Sequence, residues 1–246
     1  MGAFKHFSVG LLASGLLVPF AISAQTQEQT RACQGIGNPS REIQIAACNA
    51  VIAETNQAIQ VNPKSEQSYL LRGSAYLIKR EYNLAWQDFD RAIQANPKSP
   101  EGYVNRAAAK EKMGNHIAAI YDLDSAIKIN PTDASYYVAR AFSKRRQGNY
   151  NEAVEDSSRA IKLDPKQSNA FLVRCIAYYK KNEFERAQAD CDAANKLEPK
   201  DAPSILYVLG LIKQKKGDVG GSAEDIAFAK ALKPGIVEEA AASGVR

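Results

Sequence analysis

The residues with the most chemical potential are four cysteines, Cys33, Cys48, Cys175 and Cys191, and His116, the one histidine apart from His6 in the N-terminal 24 residues. The cysteines pair naturally by spacing, in CQGIGNPSREIQIAAC and in CIAYYKKNEFERAQADC. Neither spacing is the CxxC of thioredoxin-type redox sites, and no second histidine stands by to complete a zinc set. A disulfide between Cys33 and Cys48 would tether a Gly- and Pro-rich loop to the helix that follows. Cys175 and Cys191 leave two readings open: a second disulfide, or two buried free thiols. Catalysis finds little support, because one imidazole permits only one Ser-His-Asp or Cys-His centre. A nucleophile elbow, a phosphate-cradling glycine loop and HExxH are all missing. No enzyme activity, metal site or cofactor is expected.

Two ladders of opposite charge run in step. Arg72, Arg106, Arg140 and Arg174 recur at a fixed interval, and Asp88, Asp122, Asp156 and Asp190 follow them at a constant offset. If each arginine and its aspartate lie on facing antiparallel helices, they form an ion pair repeated in every hairpin. The competing reading is an arginine-lined ligand surface. One position breaks the ladder: Leu209 stands where a fifth arginine would be, yet Asp225 is retained and must be free or paired differently.

The elements that position these residues are set by a period of about 34 residues. Pro63, Pro97, Pro131, Pro165 and Pro199 mark it, and Pro234 follows one residue late. Aligned on the prolines, YLLRGSAY, YVNRAAAK, YVARAFSK and FLVRCIAY stack, as do AWQDFDRAI, AIYDLDSAI, AVEDSSRAI and AQADCDAAN. Tyr69, Tyr103, Tyr137 and Phe171 form one column; Ala85, Ala119, Ala153 and Ala187 form another; Ala92, Ala126, Ala160 and Ala194 form a third. The pattern resembles the tetratricopeptide repeat. That resemblance implies an all-α fold, an α-α superhelix (solenoid) of about five helical hairpins over 66–236, with repeats at 66–99, 100–133, 134–167, 168–201 and 203–236. Departures are Lys110 and Lys144 in a column usually aromatic, and Gly220 and Gly221 inside the last second helix.

Local chemistry supports two helices per repeat. KEKMGN, SKRRQGN and KQKKGD put cations in a helix's last turn, where the dipole favours them, before Gly114, Gly148 or Gly217 in left-handed backbone. Asn115, Asn149 and Asp218 are then placed to cap the next helix. Each second helix ends ahead of a proline, which pushes its predecessor out of helical geometry. Upstream, 25–65 reads as a degenerate N-terminal cap that keeps one long helix, capped by Ser40, and has lost its first. The tail, 237–246, is expected to form at most a short closing helix.

Residues 1–24 have the layout of a secretory signal peptide: Lys5, an apolar run from Phe7 to Phe20, then small residues to a cleavage point near Ala24. The expected location is therefore periplasmic or secreted, with no stable membrane insertion after cleavage and an oxidising environment for the cysteines. The net charge of +5 is mild and has no dense basic stripe, so nucleic acid is not an expected partner.

In proteins of the resembling family, partners lie chiefly along the concave face of the first helices. The corresponding residues are Leu70, Ser74, Leu77, Val104, Asn105, Ala108, Val138, Phe142, Arg145, Arg146, Leu172, Ile176, Tyr179, Tyr207 and Leu211. They form an apolar and aromatic track with a basic end, suited to an extended or helical segment with apolar anchors. The lysine and asparagine clamp of chaperone-tail binders is absent, because Leu70 and Ser74 begin the track. The function implied is a non-catalytic scaffold that binds another protein or peptide. The alternatives are a self-associating structural subunit and a periplasmic assembly chaperone for envelope or exported proteins.

Overall fold

A computed structural model describes residues 24–198, 203–242 and 244–245; residues 1–23 of the expected signal peptide and Pro199 lie outside the described residues. Every regular element among the described residues is an α-helix, and the chain divides into two compact units at Pro131.

The first unit holds α1 (Ala24–Cys33), α2 (Arg41–Val61), α3 (Glu66–Ile78), α4 (Tyr82–Ala95), α5 (Pro100–Lys112) and α6 (His116–Ile129), each packed on the next. Helix starts follow local chemistry. The Ser40 hydroxyl accepts the Ile43 amide at 3.3 Å, Ser65 accepts that of Ser68 at 3.2 Å, and Asn115 accepts that of Ala118 at 3.1 Å. Helix α1 corrects the expectation that the cap had lost its first helix. Its sequence, AQTQEQTRAC, carries no apolar stripe. It is held against α2 by the Cys33–Cys48 disulfide and by the Gln44 side-chain amide, which donates to the Cys33 carbonyl at 3.0 Å. Behind that bond, Cys33, Cys48, Val51, Leu71 and Ala75 form a small buried cluster.

The second unit holds α7 (Ala134–Arg146), α8 (Tyr150–Leu163), α9 (Ser168–Lys180), α10 (Phe184–Leu197), α11 (Pro203–Lys215), α12 (Val219–Leu232) and α13 (Ile236–Ala242). Asn149 does not cap α8 as expected: its side-chain amide donates to Gln147 at 3.3 Å instead. Asp218 does cap, accepting the Gly221 amide at 2.9 Å, so α12 begins cleanly despite its glycines.

The turns between paired helices share one backbone. Gly114, Gly148 and Gly217 take φ of 79°, 86° and 87°, and in the two hairpins without glycine Arg80 and Asn182 adopt the same left-handed conformation at 66° and 60°. In each case the next amide reaches back to close the first helix, as in Asn115 to Lys110 O and Glu81 to Tyr76 O, both 2.9 Å.

Candidate functional site

The arginine and aspartate ladders meet inside the hairpins. Arg72 donates through Nε and Nη2 to the two carboxylate oxygens of Asp88 at 2.8 and 2.6 Å. Arg106 binds Asp122 in the same forked way at 3.0 and 2.6 Å, Arg140 binds Asp156 at 2.8 and 2.6 Å, and Arg174 binds Asp190 at 2.7 Å through both arms. The carboxylates are buried and the guanidinium groups about four-fifths covered. Bidentate geometry of this kind is the strong form of the charge-assisted bond. At Arg72 and Arg174 the bond to aspartate outweighs burial and holds the guanidinium above its ordinary value; at Arg106 burial opposes the charge most, yet Asp122 and Asp90 together prevail.

Each column around the arginine has its own task. The guanidinium of each lies 5.6 to 5.9 Å from the ring of the aromatic three residues before it, Tyr69, Tyr103, Tyr137 or Phe171. The three tyrosine hydroxyls donate to Pro63, Pro97 and Pro131 carbonyls at 3.1, 3.3 and 3.0 Å, tying each first helix to the turn that introduces it. A third arm went unforeseen: Nη1 of Arg72 reaches Asn56 at 2.6 Å, that of Arg106 reaches Asp90 at 2.5 Å, and that of Arg174 reaches Ser158 at 3.0 Å. These arginines therefore join their own hairpin to the second helix of the hairpin before. The partner column mixes Asn, Asp and Ser, which hid it from a search for repeated types.

Lys110 and Lys144, out of character in an aromatic column, place their ammonium groups 2.7 and 2.9 Å from Asp122 and Asp156. Lys213 stands in the same column and pairs with Asp225 at 2.9 Å, which supplies the cation that Leu209 cannot. The Lys213 ammonium is accordingly held above its usual range by Asp225.

One residue along from the arginines runs a column of direct contact. Gly73 faces Phe89 so closely that an added methyl would lie 2.7 Å from the ring, and a methyl added at Gly210 would lie 2.6 Å from Ile226 Cγ1. Ala107 and Leu123, and Ala141 and Ser157, are likewise fully covered. In the fourth hairpin the position is filled by Cys175 and Cys191, joined at S–S 2.05 Å across a Cα–Cα distance of 5.4 Å. Both cysteine pairs are wholly buried, in disulfide geometry, and none of the four is free. The cysteines hold the inner line, and Arg174 reaches around them.

His116 is partly buried, with Nδ1 2.9 Å from the Glu111 carboxylate. Among the described residues no group of three or more His, Cys, Asp or Glu side chains could hold a metal ion, and no helix is long and apolar enough to cross a membrane.

Of the predicted track, seven residues are half-buried and open to contact: Ser74, Leu77, Val104 and Ala108 in the first unit, and Phe142, Arg146 and Leu172 in the second. The other eight, Leu70, Asn105, Val138, Arg145, Ile176, Tyr179, Tyr207 and Leu211, are buried. These eight are covered in this structure, so they pack against neighbouring residues rather than line an open surface in it. In the second unit the cause is visible. Ile236, Ala240 and Val245 of the C-terminal segment share one apolar cluster with Ile176, Tyr179, Tyr207 and Leu211, and Arg146 Nη1 donates to the Ala242 carbonyl. Burial raises the Tyr179 phenol above its ordinary range, with Tyr207 adding to it.

Residues 66–99 and 134–167 match the family profile described as Tetratricopeptide repeat, and stacked helix pairs of this kind fill both units. Residues 66–99 and 134–167 are thus tetratricopeptide repeats, and the remaining hairpins have the same stacked-helix fold. No curated protein sequence matches it significantly. Among solved structures it is similar to a chain of the APC/C hetero-tetramer Cut9-Hcn1, with a TM-score of 0.70 at 15% identity over 85% of this chain, and it spans 43% of that chain's length. PilW, a widely conserved type IV pilus biogenesis factor, gives a TM-score of 0.70 at 17% identity, covering 86% of this chain and 94% of PilW. YrrB, a tetratricopeptide-repeat protein with an unusual peptide-binding site, gives 0.56 at 14% identity, covering 78% of this chain and 98% of YrrB. At these identities the likeness establishes the fold alone.

Proposed function

We propose that the chain is a non-catalytic interaction scaffold that binds a protein or peptide segment along the inner faces of its first helices. One observation carries this reading: α7, α9 and α11 together take up a short helical segment, the chain's own C-terminus, through apolar contacts and one arginine–carbonyl bond. A face that accommodates one such segment has the chemistry to accommodate another, with side chains in pockets and a basic group for a carbonyl or carboxylate. YrrB, named for a peptide-binding site, supports the reading by its fold. The test is affinity capture by the full chain from its own envelope fraction, compared with Leu77→Asp and Leu172→Asp variants. Each places a charge on a half-buried track position in a different unit. Loss of a captured partner by at least tenfold in one variant is expected; retention in both would reject the inner faces as the site.

The same proposal places the protein outside the cytoplasm. Support comes from the leader-like residues 1–24 and from two buried disulfides, which persist where thiols are not kept reduced. A second reading, self-association, is favoured by Ile117 and Tyr121, which lie one turn apart on α6 and are exposed by 58% and 68%. Light scattering that shows a concentration-independent oligomer would select it.

A further inference from the structure

The C-terminal segment has an organisation of its own. Its two helical turns end at Gly244 in left-handed backbone, φ 84°, with the Val245 amide bonded to Ala240 O at 2.8 Å and the Gly244 amide to Ala241 O at 3.0 Å. That pair of bonds satisfies the last carbonyls from within the segment and turns Val245 back beside Ala240. Ile236, Ala240 and Val245 consequently face one way, exposed by only 1%, 7% and 2%. Local hydrogen bonds shape the segment; side chains attach it. Besides the apolar contacts, the attachments are Arg146 to the Ala242 carbonyl and a Lys233–Glu239 ion pair at its root.

This makes a module that can leave intact. Two helical turns cannot outlast their packing in water, and terminal elements with few contacts open far below the free energy of global unfolding. The layer they uncover contains Tyr179, Tyr207 and Leu211, all on the predicted binding track.

We infer that residues 236–245 are a reversible internal occupant of the inner face of the second unit, and that a partner gains this face by displacing them. The inference rests on the inner-face binding reading and names the partner's chemistry. It is a short helical segment with apolar side chains spaced four and then five residues apart, and it presents a carbonyl or carboxylate to Arg146. Apparent affinity is lowered by the fraction of molecules in which the tail is closed.

The probe is a fluorescein-labelled peptide of residues 235–246, GIVEEAAASGVR, titrated into full-length protein. Ala240→Glu puts a charge on the buried side of the tail and should open it. Peptide affinity is expected to rise at least tenfold in that variant over the native chain, and to fall again at least tenfold when Arg146→Ala is added. Hydrogen exchange on the native chain gives a readout that needs no variant: amides of 236–245 should exchange at least a hundredfold faster than those of α9 and α11. Equal peptide affinity for both chains, or tail amides exchanging in step with α11, would overturn the inference. A cellular partner that binds native and Ala240→Glu proteins equally would also overturn it while leaving inner-face binding intact. A tail that opens and rebinds while no partner docks on the face would instead reject the binding reading.

Discussion

Asp122 shows how much the repeat asks of one carboxylate. It is 3% exposed and receives Arg106 through two arms and Lys110 at 2.7 Å, so two cations depend on a single buried anion. Asn in its place keeps the shape and removes the charge. Arg106 retains Asp90, whereas Lys110 would be left half-buried with only the Ala118 carbonyl. Breaking such a pair costs more than the pair contributes, because the remaining charge stays desolvated. Asp122→Asn is expected to destabilise the protein by about 3 kcal/mol, read from urea unfolding; an unchanged midpoint would mean the ladder is ornamental. The ladder itself was legible because both types repeat in register, while the third arm of each arginine was not, because Asn56, Asp90 and Ser158 share polarity and no identity.

At the scale of the helical hairpin, the same contact point is solved in several ways: Gly73 with Phe89, Ala107 with Leu123, and Cys175 with Cys191. Small faces large, or two middling side chains bond. Cys175→Ala combined with Cys191→Leu would install the second hairpin's solution in the fourth. The double variant is expected to fold, to lose up to about 3 kcal/mol of cross-link stabilisation, and to show a melting temperature insensitive to reductant. Cys175→Ala with Cys191→Ala should fall further, since it leaves a cavity. The turns offer a second comparison. Arg80 occupies left-handed backbone that Gly114, Gly148 and Gly217 take in other hairpins, and its side chain is exposed. Arg80→Gly relieves the steric cost and loses some chain entropy, for a net gain of about 0.5–1 kcal/mol; Asn182→Gly should gain less, because asparagine tolerates the conformation. Thermal melts of the two variants decide the order. Helix α1 escaped detection for a related reason: a polar ten-residue helix held by one disulfide has no apolar periodicity to read.

For the molecule as a whole, the period in the sequence fixes where helices start and which side chains meet, and it does so because every hairpin solves the same packing problem. What the period could not disclose is which inner-face residues stay open. For Ile176, Tyr179, Tyr207 and Leu211 that depends on the segment begun by α13, which shares their apolar cluster; Leu70 is covered instead by its own hairpin. The arginine staples carry one further consequence. Arg72, Arg106 and Arg174 each fasten their hairpin to the helix before it, but Leu209 leaves α11 without that fastening. The fifth hairpin is tied back instead by Lys216, whose ammonium donates to Gln188 Oε1 at 2.8 Å. Within the second unit, its seam is therefore closed by an exposed bond from a flexible side chain, where the seam before it is closed by the half-buried Arg174–Ser158 bond.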